Sequence, residues 1–381
     1  MGGSGAHDVT IVGGGIVGAS IAYWLAPHCR VVLLEAEAAC GYHATGRSAA
    51  LYAPAYGPPM VRALTRASRE FLFTPPDGYS STPLLATRGA MFVTDDAGIA
   101  AARDLQAALS AEGAKLVEID GTEACRRVPV LRSERCALGL YDDDAYDIDV
   151  DALLQGFLRG ARARGAEVLA GRRVERLTRD DAGLWSVHAG EDSQVRSKWI
   201  VNAAGAWADE VAELAGAGAL GIEPRRRTAF LFDAPAGIDC RHWPAVLDAA
   251  ERWYLKPDAG MLLGSPANAD PVPPHDVVPE EIDVATGIYL IEEATTLRIE
   301  RPRRAWAGLR TFAKDGEPVC GASPHVPGFF WAAGLGGYGI QTAPAFGRLC
   351  ADLLRDGAPG SSLALHGVNA DAVSPARFTT S

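Results

Sequence analysis

The run Val9-Thr10-Ile11-Val12 leads without a break into Gly13-Gly14-Gly15-Ile16-Val17-Gly18, and that junction constrains the chain more than any other stretch. An apolar, β-branched run reads as a buried strand, and the glycines keep the G-x-G-x-x-G spacing. Ala19 to Leu25 are helix formers, with Ile16, Ala19, Tyr23 and Ala26 near helical spacing, and Val31-Val32-Leu33-Leu34 is a second buried strand that ends in Glu35. In such a βαβ unit Gly13 permits the tight turn, Gly15 lets the backbone approach a pyrophosphate, and Gly18 lets the helix pack on the strand. Unpaired N–H groups and the positive end of the helix dipole favour the anion. Glu35 is placed to accept hydrogen bonds from both hydroxyls of an adenosine ribose, and its charge repels a 2′-phosphate. The expectation is therefore a dinucleotide other than NADP. A lone glycine pattern would be weak; strand, helix, strand and terminal acid in register carry the argument.

The chain has 381 residues, 48% of them hydrophobic, enough for a large core in two domains or one domain with a large insert. Its net charge of −11 argues against nucleic acid or an anionic membrane surface and for a small-molecule substrate. Seven scattered cysteines without a C-x-x-C fit a reducing compartment and neither zinc nor a disulfide framework. The opening Met1 to Gly5 is linker-like rather than a signal peptide, and no apolar run reaches transmembrane length, so the expected location is cytoplasmic.

After Glu35 comes a small-residue loop, Cys40 to Ala50, without helical or strand period, which suggests backbone lying against the far end of a cofactor. Helical spacing follows over Val61 to Phe73, a strand at Ala90 to Val93, a helix from Ile99 to Ala111 and a strand at Leu116 to Ile119. The acids Asp142, Asp143, Asp144, Asp147, Asp149 and Asp151 precede an apolar helix and read as caps and dipole partners on a solvated loop rather than as a metal site. Ala166 to Leu169, Arg173 to Leu177 and Trp185 to His188 read as a β-meander. Lys198 to Asn202 is a buried strand that runs into the small-residue turn Ala203-Ala204-Gly205 and a helix. Strand-like pieces from Thr228 to Gly264 suggest an antiparallel sheet outside the dinucleotide core. A second glycine-rich strand-to-helix turn, Gly334 to Gly339, follows the strand Phe329 to Ala333; its helix N-terminus could stabilise negative charge on a cofactor ring.

The GGGIVG unit with Glu35, the Asn202-to-Trp207 element and the late glycine turn together resemble the D-amino-acid oxidase/glycine oxidase superfamily, and within it the bacterial D-arginine dehydrogenase branch. Long strings carry the likeness: Gly41-Tyr42-His43, Thr45 to Ala50, Tyr254 to Asp270, and Gly336 to Thr342. The resemblance implies an α/β fold, a Rossmann-type FAD-binding domain interleaved with a β-rich substrate domain. The FAD segments would be 6–91, 147–219 and 306–375, and the substrate segments 92–146 and 220–305.

Position by position, the resemblance implies FAD contacts at Gly13, Gly15, Gly18, Glu35, Thr45, Arg47, Ser48, Ala49, Val174, Ala204, Gly205, Gly336, Gly339 and Ile340. It makes Arg227 and Arg310 the clamp on a substrate carboxylate, helped by the hydroxyl of Tyr254, with Tyr56 on the lid side. A planar guanidinium suits this, since it pairs bidentately with a carboxylate. Leu51, Ala53, Ala90 and Gly337 would line the substrate pocket. Two of these depart from the branch, whose acid for the arginine side chain falls at Ala90 and whose active-site histidine falls at Leu51. The amino-acid clamp is kept, while the end that would hold a cation is apolar. With no cysteine beside Arg310, the FAD is expected to be noncovalent, although Cys320 lies near in sequence.

The implied activity is FAD-dependent oxidation of the Cα–N bond of a D-amino acid to a 2-oxo acid and ammonia, with neutral side chains preferred over D-arginine and with quinone or oxygen as electron acceptor. The alternatives are an oxidase of secondary amines or 2-hydroxy acids, or a noncatalytic flavin-binding protein.

Overall fold

The computed structural model describes residues 6–190 and 194–378, so the linker-like Met1 to Gly5 lies outside the described residues. The elements that carry the site are, in chain order, β1 (His7–Val12), α1 (Ile16–Leu25), β2 (Val31–Leu34), β3 (Ala90–Thr94), β4 (Leu138–Asp142), β5 (Tyr146–Ile148), β6 (Gln194–Asn202), β7 (Glu223–Phe232), β8 (Ala245–Asp248), β9 (Tyr254–Asp258), α2 (Glu281–Ala294), β10 (Arg304–Phe312), β11 (Phe329–Ala333) and α3 (Gly339–Asp356).

The first sheet is centred on β1, which pairs in parallel with β6 (Val12 opposite Asn202) and with β2 (Val12 opposite Leu34). The strand β11 joins the end of β6 in parallel, Ile200 facing Phe329. These parallel strands are buried on both faces, which is why they read as unbroken apolar runs. The helix α1 has no charged residue, because α3 covers the side that the sheet does not: Ser20 Oγ donates to Ala343 O at 2.7 Å and Trp24 Nε1 to Pro344 O at 3.0 Å.

The segment Glu167–Leu169 corrects the meander reading. It pairs in parallel with β2, because the helix Val150–Ala163 brings the chain back from β5, in a separate small sheet, to the edge of the first sheet. Arg176–Arg179 pairs antiparallel with Trp185–His188, and that strand in turn with β6. The first of these begins three residues later than its sequence suggests, and Val174 lies in the connection before it.

The acidic run is likewise not one solvated loop. Asp142 ends β4 and is buried, and Asp147 lies within β5. Asp149 is the expected cap, accepting from Ala152 N at 2.9 Å. No group of His, Cys, Asp or Glu suited to a metal occurs among the described residues.

The second sheet runs β7, Met261–Ser265, β9, β8, β3, β4 and Val117–Asp120, with β10 on the other side of β7. The helix α2 covers it, and Phe230, Leu262 and Ile291 are fully enclosed between them. Truncating a residue of that kind to alanine costs roughly 2–5 kcal/mol. Both β3 and β10 are paired within this sheet, so the segment boundaries expected at 91/92 and 305/306 run through them. No helix among the described residues is long and apolar enough to cross a membrane.

Candidate active site

A cavity of about 250 Å³ runs from the β1–α1 turn to the ladder between β7 and β10. The three motif glycines at its first end differ in what requires them. At Gly13, φ is +110° and a Cβ would lie 2.3 Å from Ala203 O; at Gly18 a Cβ would lie 1.9 Å from Gly13 O. Those two are demanded by the protein's own packing. Gly15 has an ordinary backbone, φ −70° and ψ −179°, and a Cβ there would meet only Thr45 Oγ1, at 3.3 Å. Its missing side chain therefore serves whatever enters the cavity. The first turn of α1 carries no acid that would neutralise its positive end. Glu35 reaches the same end; it accepts from Gly14 N at 2.7 Å and Glu37 N at 2.8 Å, which orients the carboxylate and leaves lone pairs for a ligand.

The loop after Glu35 forms the middle of the wall. Thr45 Oγ1 accepts from Ile16 N at 3.0 Å, tying the loop to the helix start. The Arg47 guanidinium donates to Val277 O and Ala307 O at 2.9 and 3.1 Å and pairs with Asp276, so it braces the loop against β10. Ser48, Ala49, Val174, Ala204, Gly205, Gly339 and Ile340 all line this cavity.

At the far end the second sheet supplies the charge. Arg225 faces Arg310 and Arg227 faces Gly308 across the β7–β10 ladder, so Arg227 and Arg310 share one face as diagonal neighbours. Arg226, between them, points the other way and pairs with Asp283 and Glu280. The alternation of the strand thus sorts one structural arginine from the cavity ones. Gly308, opposite Arg227, lets the Arg47 side chain approach, a Cβ there coming within 3.3 Å of Arg47 Cβ, and Gly337, with φ +90°, lets Arg310 lie against the glycine turn, where a Cβ would come within 2.5 Å of its Nε.

Neither Arg227 nor Arg310 has a carboxylate within salt-bridge distance among the described residues. Burial, and then the charge of Arg310, push the Arg227 guanidinium down from its usual value. Burial pulls Arg310 down too, but Tyr56, Tyr254 and Tyr338 outweigh it and hold Arg310 above its usual value. Arginine starts so high that both stay charged. Two enclosed cations without an anion make a site for one.

A second cavity, of about 90 Å³, opens from this end and shares Arg227, Tyr254, Arg310 and Gly337 with the first. Leu51, Ala53, Tyr56 and Ala90 line it, as does Tyr338, whose ring meets Tyr56 edge to face at 5.2 Å. Two residues assigned to the cofactor from sequence, Gly18 and Gly336, do not line the cavity. Gly18 serves helix–strand packing, and Gly336 backs onto the Phe312 and Tyr338 rings. Glu292 and Glu293 lie at the end of α2, engaging Arg298 and Arg135, and line neither cavity. Cys320 is buried against Cys350, their sulfurs 3.3 Å apart, and lines neither cavity. Sequence reading missed Gly308, Asn268, Lys256 and Gln341; only strand alternation from Tyr254 could have flagged Lys256.

The sequence model of the DAO family, described as FAD dependent oxidoreductase, matches residues 8–353. The FAD-dependent oxidoreductase domain-containing protein 1 of Bos taurus is 26% identical over 406 residues, covering 92% of this chain and 81% of the relative. In fold, the chain is similar to L-proline dehydrogenase from P. horikoshii (TM-score 0.81, 21% identity, 98% of each chain) and to glycine oxidase from Geobacillus kaustophilus (TM-score 0.80, 22% identity, 92% of this chain and 94% of that one). The open cradle at Gly15, the uncapped positive end of α1 and the oriented Glu35 fit the pyrophosphate and ribose of FAD. The chain belongs to the DAO family and is a FAD-dependent oxidoreductase.

Proposed function

We propose that the protein oxidises the Cα–N bond of D-amino acids whose side chains carry no positive charge. The observation that carries this reading is the pair Arg227 and Arg310, two cations sharing one face at the junction of the two cavities with no acid to neutralise them. An α-carboxylate supplies the missing anion and is held bidentately. Tyr254 stands beside the pair to donate a further hydrogen bond, and Tyr56 and Tyr338 wall the site from water.

When bound, FAD supplies the two-electron acceptor, at N5 of its ring, for the hydride that leaves Cα. The protein's own contribution is orientation: fixing the carboxylate sets the Cα hydrogen toward the ring. The amine proton leaves to water, since no carboxylate or histidine lines the second cavity among the described residues. Water then hydrolyses the imine to the 2-oxo acid and ammonia. Leu51, Ala53 and Ala90 give a cationic side chain no partner to replace its lost hydration, a penalty of several kcal/mol. We also place the protein in a reducing cytoplasm, with noncovalent FAD and either quinone or oxygen as acceptor.

The same clamp would serve a secondary amine or a 2-hydroxy acid, so the test is an anaerobic titration of the holoenzyme with D-amino acids, L-amino acids, N-alkyl amino acids and 2-hydroxy acids. Bleaching of the flavin band by D-leucine, with a higher kcat/KM than for D-arginine, is expected. Bleaching by only the other classes would replace the reading, and bleaching by none would point to a noncatalytic flavoprotein.

A further inference from the structure

We propose that the second cavity selects amino acids whose side chain ends in a carboxylate, held by Lys256 and Gln341. The inference rests on Arg227 and Arg310 being the α-carboxylate clamp.

The floor of this cavity is one face of the second sheet. Leu247 faces Tyr254 in the β8–β9 pair, and Leu247 and Ala245 face Phe92 and Ala90 in the β8–β3 pair. Side chains two apart on a strand share a face, so Lys256 stands on the same floor as Tyr254, about 7 Å further along. That spacing puts it within reach of a short diacid once a hydrogen bond is added at each end. Ala245 and Ala90 are small and leave the space in front of Lys256 open.

Lys256 carries the positive charge at this end, and its nearest carboxylate is not its alone. Lys256 is 5% exposed and its Nζ lies 2.7 Å from Asp147 Oδ1. Asp147 is shared, however, because Arg88 Nε lies 2.7 Å from its other oxygen. Asp258 is 3.9 Å from Lys256 and partly exposed. Among the described residues that line the cavity there are three cations, Arg227, Arg310 and Lys256, and no carboxylate.

Gln341 adds an independent sign. It is 3% exposed, and its Oε1 accepts from Ala53 N at 2.9 Å, which fixes which end of the amide points where. The other end, Nε2, is buried without an acceptor. A buried amide N–H₂ in a cavity whose lysine shares its nearest carboxylate calls for an acceptor that the protein does not provide. A side-chain carboxylate meets both groups, whereas a methyl-ended side chain meets neither.

The test uses the holoenzyme and two nonreacting ligands of equal chain length, glutarate and pentanoate, with the perturbation of the flavin spectrum as readout. Glutarate is expected to bind at least about tenfold more tightly. Lys256→Met should erase the difference, and Ala90→Glu, which places a competing carboxylate on the floor, should weaken glutarate more than pentanoate. In turnover, D-glutamate should exceed D-leucine in kcat/KM. If Lys256→Met does not fold, the wild-type ratio and Ala90→Glu decide. Equal or tighter binding of pentanoate overturns the proposal and leaves the carboxylate clamp standing; no spectral response to either ligand overturns both.

Discussion

Arg227 donates its Nε–H to the backbone carbonyl of Asn268 at 2.6 Å, which leaves the two terminal nitrogens of the guanidinium to face the cavity. Asn268 is itself held, its Oδ1 accepting from Thr228 N at 2.9 Å and its Nδ2 reaching Asp283 at 3.1 Å. Asn268→Ala frees that carbonyl to move and strands the N–H of buried Thr228. We expect KM for the amino acid to rise about tenfold with a smaller fall in kcat, and stability to fall by about 1–3 kcal/mol. Steady-state kinetics beside a denaturant melt separates the two effects.

The glycines of the first turn should fail in different ways. Gly15→Val keeps an allowed backbone and meets little protein, so it should fold and purify colourless because the new side chain occupies the pyrophosphate path. Gly18→Ala drives a Cβ into Gly13 O and should lower the melting temperature. Flavin absorbance per protein, read beside a thermal melt, checks both; a Gly15→Val protein with full flavin content would displace FAD from this turn.

Replacing either clamp arginine removes a charge-assisted pair from an enclosed site. Arg310→Met or Arg227→Met should cost on the order of 2–5 kcal/mol of transition-state binding, a fall of roughly 30-fold to several thousandfold in kcat/KM, with KM raised and kcat lowered together. Unchanged kinetics in both variants would remove them from the active site.

Asp142 sets a pH-dependent term in stability. Burial, with Asp144 and Asp143 adding to it, pushes its carboxyl up from 3.8 to about 6. One oxygen accepts from Asp144 N at 2.9 Å, and the other is buried without a partner. The folded state thus favours the protonated form. The contribution is fully present below the unfolded value of 3.8 and is lost as pH rises through about 6. Asp142→Asn, a mimic of the protonated acid, should therefore match the wild type near pH 4 and exceed it by roughly 1–3 kcal/mol above pH 6. Urea melts of both proteins across that range test the sign; a constant difference would show that Asp142 does not titrate there.

The sequence by itself determined the dinucleotide half of this protein. From Val9 to Glu35 strand, turn, helix and strand follow one another within a single crossover, so their periodicity, glycines and terminal acid are read from neighbours in the chain. The same locality made the late glycine turn and the helix after it legible. What the tertiary structure decided lies in contacts between distant segments. β3 and β8 pair although some 150 residues separate them, and nothing local in either short strand sets that register. Glu167–Leu169 has the composition of a meander strand, and only the packing of the helix before it sends it beside β2. In the acidic run, Asp142, Asp147 and Asp149 diverge into a buried strand end, an ion pair with Lys256 and a helix cap, because each meets a different partner. Lys256 and Gln341 escaped notice for the same reason. A lysine or a glutamine comes to line a cavity only when segments far apart in sequence close around it.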